Sequence, residues 1–334
     1  MVVSLSDIAQ RAGVSVKTVS GALHGGSARM SEATHQRIHQ IAKELGYITN
    51  LAARGVRQGW MPLVGLVADG LITSPFATEI MRGLDTGVRS ADMAVFAMML
   101  GERHDVATVL EEVRRFRPRS IGYAATYHKM VTLPPNATDT INVMINCQDA
   151  EGRVLSLVPD DERAALDITR YLLDSGRQSL AFINLPGLLA GELRAVGFRQ
   201  ALVEAGYAGE AAILLPAVQD STYSDRAQSL VAAHVEALFN RPTPPDAILC
   251  GNDRVAMEVY AALNRLGRRI PDDVAVASFD NQVEIATRLD PPLTTMALPH
   301  RIMGSMAADI LLSAEPPARE VRKIPFQLIE RQSI

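Results

Sequence analysis

Polar side chains stand where several apolar runs stop. Asp69 follows LVGLVA, Asn146 follows INVMI, Asn252 and Asp253 follow AILC, and Asp280 follows VASF. In open α/β sheets ligands sit beyond the carboxyl ends of the strands, so carboxylates and amides at such ends are candidates for hydrogen bonding to one. Asp253 begins the next helical pattern and reads as an N-terminal helix carboxylate rather than a ligand contact. A second pattern lies near the start. GVSVKTVSGAL (13–23) reads as a short helix opened by Ser15, with Val16, Val19 and Leu23 inward and Lys17, Ser20 and Gly21 outward. Glycine inside a helix costs about 1 kcal/mol relative to alanine, so an outward face kept this small suits close approach of a backbone to another surface. Fingerprints of catalysis are missing: no GxGxxG follows the first strand, and no phosphate-binding loop, GxSxG elbow or HExxH occurs. The seven histidines show no metal-ligand spacing. No enzyme, metal or cofactor is expected.

The elements that would position these residues fall into two styles. Leu5, Ile8, Ala9 and Ala12 follow helical spacing, with Ser4 and Asp7 set as a capping box. Gly13 ends that helix, and Ser15 caps the next. After the loop HGGSARM, Ser31 caps a third, with Ile38, Ile41, Ala42 and Leu45 inward and Gly46 closing it. Two short helices joined at a glycine turn make a helix-turn-helix unit. Asn50 opens a possible short helix, NLAARGV, too brief to hold in water alone. From Leu63 onward buried-strand runs (LVGLVA, MAVFAMML, SIGYAA, TINVMIN, SLAFINL, AAILLP, DAILCGND, DVAVASFD) alternate with helical stretches at about 76–90, 106–116, 160–174, 192–205, 221–239 and up to 266. That rhythm predicts parallel, doubly wound sheets, split in two at this length.

Charge follows the same division. Residues 1–60 hold seven Lys or Arg against three acids, a net of +4, which leaves −8 for the rest of a chain of net −4. A basic head on an acidic body suggests a polyanion partner for the head alone. A chain of 334 residues, 48% hydrophobic and 21% charged, is ordinary for soluble domains. No apolar run reaches the roughly 18 residues of a spanning helix, no signal peptide is read, and Cys147 and Cys250 sit in apolar runs that suit a reducing cytoplasm.

SLSDIAQRAGVSVKTVSGAL, SEATHQRIHQIAKELGYITNLAARGV, TSPFATEIMRG, LRAVGFRQAL, ILCGNDRVAM, IPDDVAVASFD and PPLTTM, in this order, resemble the lactose-repressor/galactose-repressor (LacI/GalR) family of bacterial transcription regulators. The resemblance implies an N-terminal all-α helix-turn-helix domain (1–48), a hinge helix and linker (49–60), and an α/β periplasmic-binding-protein-like body (61–334) of two doubly wound parallel-sheet subdomains. One subdomain would hold about 61–157 and 296–320, the other 158–295 and 321–334. It further implies a cytoplasmic homodimer on a near-palindromic double-stranded DNA operator, with a small effector between the subdomains and no membrane partner. The chain shows no heptad segment at LIERQSI that would join dimers into tetramers.

For the head, the second helix would lie in a major groove about 12 Å wide. Lys17 could donate to a guanine or a phosphate, Val16 could meet a thymine methyl, and Ser15, Thr18 and Ser20 suit phosphate oxygens. Ser4, Gly21 and Arg29 complete this side; Asn50, Ala53, Arg54 and Val56 belong to the hinge. Two departures stand out: Gly21 replaces a frequent arginine, and Val56 replaces a leucine wedge that would kink DNA. For the pocket, the resemblance assigns Asn252 and Asp280 to ligand hydroxyls and Arg194 to donation. Asn146 stands where an aspartate is frequent. Asp69, Ser74, Phe76, Asp220 and Tyr223 would complete the site, while Leu298 replaces a polar residue. Fork donors, a carboxylate and amides suit a polyhydroxylated effector such as a sugar or sugar derivative. A purine corepressor, or a sugar-binding protein without DNA function, are the alternatives. The implied mechanism has two states, with operator and effector linked reciprocally.

Overall fold

A computed structural model describes residues 3–24, 30–48, 55, 59–70, 78–101, 105–207, 213–224 and 227–334. Residues 1–61 and 62–334 form two compact units. In the first, α1 (Leu5–Ala12), α2 (Val16–His24) and α3 (Glu32–Leu45) surround a small core of Ile8, Val19, Ile38 and Ile41 with alanines between them. Local chemistry sets the ends. Ser4 and Asp7 bond reciprocally as a capping box, and Gly13 and Gly46 close α1 and α3 in the left-handed conformation. The Ser31 hydroxyl caps α3 by accepting from the Thr34 amide at 3.2 Å.

The second unit runs through β1 (Met61–Asp69), α4 (Thr78–Ser90), β2 (Ala94–Met99), α5 (Val106–Arg115), β3 (Pro118–Val131), β4 (Ile141–Asp149) and β5 (Ser156–Pro159). It then crosses into α6 (Asp161–Asp174), β6 (Leu180–Asn184), α7 (Leu189–Glu204), β7 (Ile213–Pro216), α8 (Val231–Phe239), β8 (Ala247–Cys250), α9 (Asp253–Arg265), β9 (Ala275–Asp280), α10 (Val283–Ala286) and β10 (Thr294–Ala297). Finally α11 (His300–Leu312), β11 (Val321–Ile324) and β12 (Gln327–Ile329) recross twice. Two six-stranded sheets result, ordered β11-β5-β4-β3-β1-β2 and β12-β10-β9-β8-β6-β7. β12 pairs antiparallel with β10, an edge strand on an otherwise parallel design. α4 and α11 pack closely because each carries a glycine at the contact: a Cβ on Gly83 would strike the Arg301 carbonyl, and one on Gly304 the Ile80 carbonyl. Among the described residues no helix is long and apolar enough to cross a membrane.

Four expectations are corrected. Val16 is not inward; it is 46% exposed, and Val19 and Ala22 fill the inner stripe of α2. The helix expected from Ser221 begins at Val231; ahead of it Val218 and Ser229 pair in an isolated antiparallel bridge. Only from Val231 do apolar residues recur at helical spacing, with Val231, Val235 and Leu238 buried. The last crossing lies between β11 and β12, not at 320/321. β11 pairs parallel with β5 and covers an edge that would otherwise expose unpaired backbone. Finally, β3 continues past SIGYAA to Val131, with a register shift against β4 between Ala124 and Lys129. Such an irregularity re-aims side chains, here Thr126, Tyr127 and His128.

Candidate functional site

The α2 face of the first unit is accessible. Val16 and Lys17 are exposed, and Thr18, Ser20 and Gly21 are half-buried. The Ser15 hydroxyl accepts from the Thr18 amide at 3.1 Å and lies 2.8 Å from the Thr18 hydroxyl. The cap thus commits one Ser15 lone pair and leaves the free amide end of α2 open to an anion. Arg37 donates to the Ala12 carbonyl, which ties α3 to the end of α1 behind this face. Ser4 is exposed but engaged in its capping box, its amide and hydroxyl both on Asp7. Arg29, Asn50, Ala53, Arg54 and Val56 lie outside the described residues.

In the second unit a cavity opens between the two sheets. It is lined by Thr126, Tyr127, His128, Asn146 and Pro159 from the first and by Leu185, Leu188, Ala190, Arg194, Asn252 and Asp280 from the second, with Leu298 and His300 on the crossing. Its enclosed space is about 30 Å³, room for a water or two, so a larger guest must part the walls. Four of the expected ligand residues converge here: Asn146, Arg194, Asn252 and Asp280.

Arg194 is held from three sides. Its Nε donates to Oδ1 of Asp161 at 2.7 Å, Nη2 lies 2.7 Å from the same oxygen, and Nη1 donates to the Gly251 carbonyl at 2.6 Å. The guanidinium also stacks 4.3 Å above the Phe279 ring. Among the described residues, two of its five N–H groups have no acceptor. Gly197 allows this placement: a Cβ there would strike the Glu162 carbonyl and push α7 off α6. Asp161 is fully buried, and burial alone would raise its carboxyl. The Arg194 charge and the His128 hydrogen bond prevail and hold it below the ordinary carboxylate range. His128 Nδ1 lies 2.7 Å from Oδ2 of Asp161, and its Nε2 lies 2.9 Å from Nε2 of Gln148.

Asn146 occupies a left-handed position, φ 60°, that asparagine tolerates. Its Nδ2 donates to the carbonyls of Ala125 and Thr126 at 3.1 and 2.8 Å. Oδ1, buried against the cavity, has no hydrogen-bond partner among the described residues. Asn252 caps α9 through Oδ1, 2.9 Å from the Val255 amide, and donates Nδ2 to the Tyr223 hydroxyl at 3.2 Å. Burial pushes the Asp280 carboxyl up to about 8, against the pull of Arg194 and with the help of Asp253. Asp253 is fully buried and accepts from Ser278, from Thr295 at 2.8 Å and from the Gln282 amide at 2.6 Å. It is a structural hub.

The other expectations divide. Tyr223 is buried beside the cavity: its hydroxyl accepts from Nδ2 of Asn252, and its ring meets the lining Tyr127 edge to face, 6.4 Å between centroids. Asp69 does not line it: its Oδ2 accepts from the Tyr123 hydroxyl at 2.7 Å and pairs with Lys129 at 2.6 Å. Asp220 is exposed on the loop before α8 and away from the lining. Ser74 and Phe76 lie outside the described residues.

The model of bacterial regulatory proteins, lacI family, matches residues 4–50, and that of a periplasmic binding protein-like domain matches 169–334. Sucrose operon repressors of Shigella flexneri and Escherichia coli are each 35% identical over 99% of this chain and 99% of their own. The chain belongs to the LacI family. A LacI-family chain from Rhizobium etli is 29% identical, with a TM-score of 0.75 over 81% of this chain and 98% of that one. The lac repressor dimer bound to operator shares the fold at 21% identity and a TM-score of 0.74, over 100% of this chain and 99% of that one.

Sequence reasoning missed two buried residues of this LacI-family site: His128, which lines the cavity, and Asp161, which holds Arg194 from outside the lining. Asp161 reads as an ordinary first-turn acid of α6, and nothing near it in sequence announces Arg194, 33 residues on. His128 lies beyond the point where the apolar run of β3 stops.

Proposed function

We propose that this LacI-family chain is a DNA-binding transcriptional repressor whose operator affinity is set by a small polyhydroxylated effector, a sugar or sugar derivative. Residues 1–48 would read DNA, 49–60 would link, and 61–334 would sense the effector and dimerise. The observation that carries the effector reading is the convergence on one cavity of three complementary groups. Among the described residues, these are the two N–H groups of Arg194 without an acceptor, the Oδ1 of Asn146 without a partner and the carboxyl of Asp280. A sugar presents hydroxyls that both donate and accept, and such a set matches them one for one.

For DNA, the supporting feature is the small, exposed face of α2 with Lys17 at its first turn and the amide end beside it. The protein acts as a regulator in the cytoplasm, as a homodimer whose two α2 helices meet half-sites one helical turn apart. A purine corepressor is less well matched, since Tyr127 is the only Phe, Tyr or Trp among the described lining residues. The test is operator binding by fluorescence anisotropy, with DNA from upstream of the protein's own gene. The titration uses sucrose first, then other neutral sugars and purines. A sugar-dependent change of roughly 5–150-fold is expected. Affinity that no small molecule moves would refute the effector reading, and affinity for that DNA no better than for random duplex would refute the operator reading.

A further inference from the structure

Arg194 is the one permanent cation among the described residues lining the cavity, and its charge is already matched. Asp161, fully buried, holds it at 2.7 Å, and His128 fixes the other carboxylate oxygen. Asp280 adds a second carboxyl to the wall, while Asn146 and Asn252 are neutral. Lys129, the next nearest base along β3, is paired with Asp69 at 2.6 Å and does not line the cavity. The site therefore offers hydrogen-bond donors without net positive charge. A phosphate or carboxylate placed there would find, among the described lining residues, no cation whose charge is not already paired. An anion buried without a partner charge is strongly disfavoured.

We propose that the cavity selects uncharged sugars and rejects phosphorylated or acidic ones, and that Asp161 imposes this choice from beneath Arg194 without touching the ligand. The inference rests on the sugar reading above and adds the charge class of the effector. Asp161 is a positioning residue: it aims the guanidinium and cancels its charge. His128 supports it by holding the other carboxylate oxygen at 2.7 Å, with Gln148 against the ring's second nitrogen at 2.9 Å.

Two measurements on the full-length protein at pH 8, where an ordinary imidazole is neutral, test this. In the first, thermal unfolding and operator binding are followed with sucrose, fructose and glucose against sucrose 6-phosphate, fructose 6-phosphate, glucose 6-phosphate and gluconate. A neutral sugar should act at concentrations roughly 100-fold or more below its phosphate. A phosphosugar that matches or beats its neutral parent overturns the proposal while leaving the sugar reading intact. Silence from all of these compounds removes the sugar reading instead, and the second measurement then decides alone. That measurement compares inorganic phosphate as a probe on wild type and on Asp161→Asn, which keeps the shape but uncovers the Arg194 charge. Phosphate should raise the melting midpoint of D161N by several degrees more than that of wild type. The DNA-binding unit is common to both proteins and cancels. Equal responses in the two proteins, with D161N folded by circular dichroism, overturn the proposal. Should D161N fail to fold, Asp161→Asn combined with Arg194→Gln removes both charges and should bind phosphate no better than wild type. Stronger phosphate binding by that double variant than by wild type counts against the proposal.

Discussion

The two functional regions of this chain hold their side chains by opposite means. On α2 the residues that face outward are positioned by neighbours three or four places away: Ser15 caps through Thr18, and Gly13 turns the chain. In the cavity, each functional group is held by partners far along the sequence, Arg194 by Asp161 and Gly251, Asn146 by the carbonyls at the irregularity of β3. A surface that reads a polymer needs exposure and small size, which local structure supplies. A cavity that senses a small molecule needs fixed donors out of water, and those need buried counterparts. Substitutions should therefore damage stability in the cavity and affinity in the head.

The sharpest contrast comes from removing one cation in each region. Arg194→Met leaves Asp161 buried without its guanidinium, and breaking a buried pair this way costs about 3–5 kcal/mol. Urea unfolding of the second unit should show a loss of that size. Lys17→Met, at an exposed position, should change stability by less than about 0.5 kcal/mol. If both variants melt alike, the two regions are not built differently.

Proton binding separates the regions next. Asp280 and Asp253 are pushed up to about 8 and about 6 by burial. Both folded values exceed the unfolded one, so between pH 4 and 8 the folded state binds more protons. The contribution of these groups is complete at low pH and is lost as pH rises through 6 and then 8. Stability of the second unit should fall with rising pH, by up to ~1.4 kcal/mol per pH unit for each titrating group. Asp280→Asn should flatten the upper part of that slope. A profile that rises toward pH 8 would mean that both carboxyls are ionised and well served, and that the cavity is less dry than its geometry indicates.

Affinity is the complementary axis. Lys17→Ala should weaken operator binding by ~1–3 kcal/mol with relaxed preference at one base if it reads guanine. If it meets a phosphate, it should instead lower the salt slope by about 1 without altering preference. Salt titrations on operator and random duplex distinguish the two, and an unchanged slope with unchanged preference would remove Lys17 from the interface.

The same division explains what could be read from residues alone. Ser4 with Asp7, Gly13, Ser31 and Gly46 each act within one turn of themselves, and the structure places every one as a cap. The strand-helix rhythm is also local, so both sheets were legible, and Asn146, Arg194, Asn252 and Asp280 meet as expected. What escaped depends on distant partners. Asp69 ends a buried strand as a ligand residue would, yet Tyr123, 54 residues away, takes its oxygen. His128 gains its role only because β3 slips register against β4. Val16 looked inward because valine at that spacing usually is, but α2 is so short that Val19 and Ala22 suffice for its core.

The smallest effects test the head most directly. Ser15→Ala deletes the acceptor for the Thr18 amide and should lower the stability of the first unit by about 1 kcal/mol, the usual worth of such a cap. Gly21→Ala should do the reverse, because alanine in a helix interior is favoured by ~1 kcal/mol over glycine. Gly21 is half-buried within α2 and does not have a positive φ, so the backbone accepts the methyl. On a face used for close approach, however, that methyl stands between helix and groove. Gly21→Ala should therefore melt higher and bind operator more weakly, whereas Ser15→Ala should melt lower and bind more weakly as well. Calorimetry paired with anisotropy separates them. If G21A gained affinity in step with its stability, glycine at 21 would be an accident of sequence, and the small outward face of α2 would lose its meaning as a contact surface.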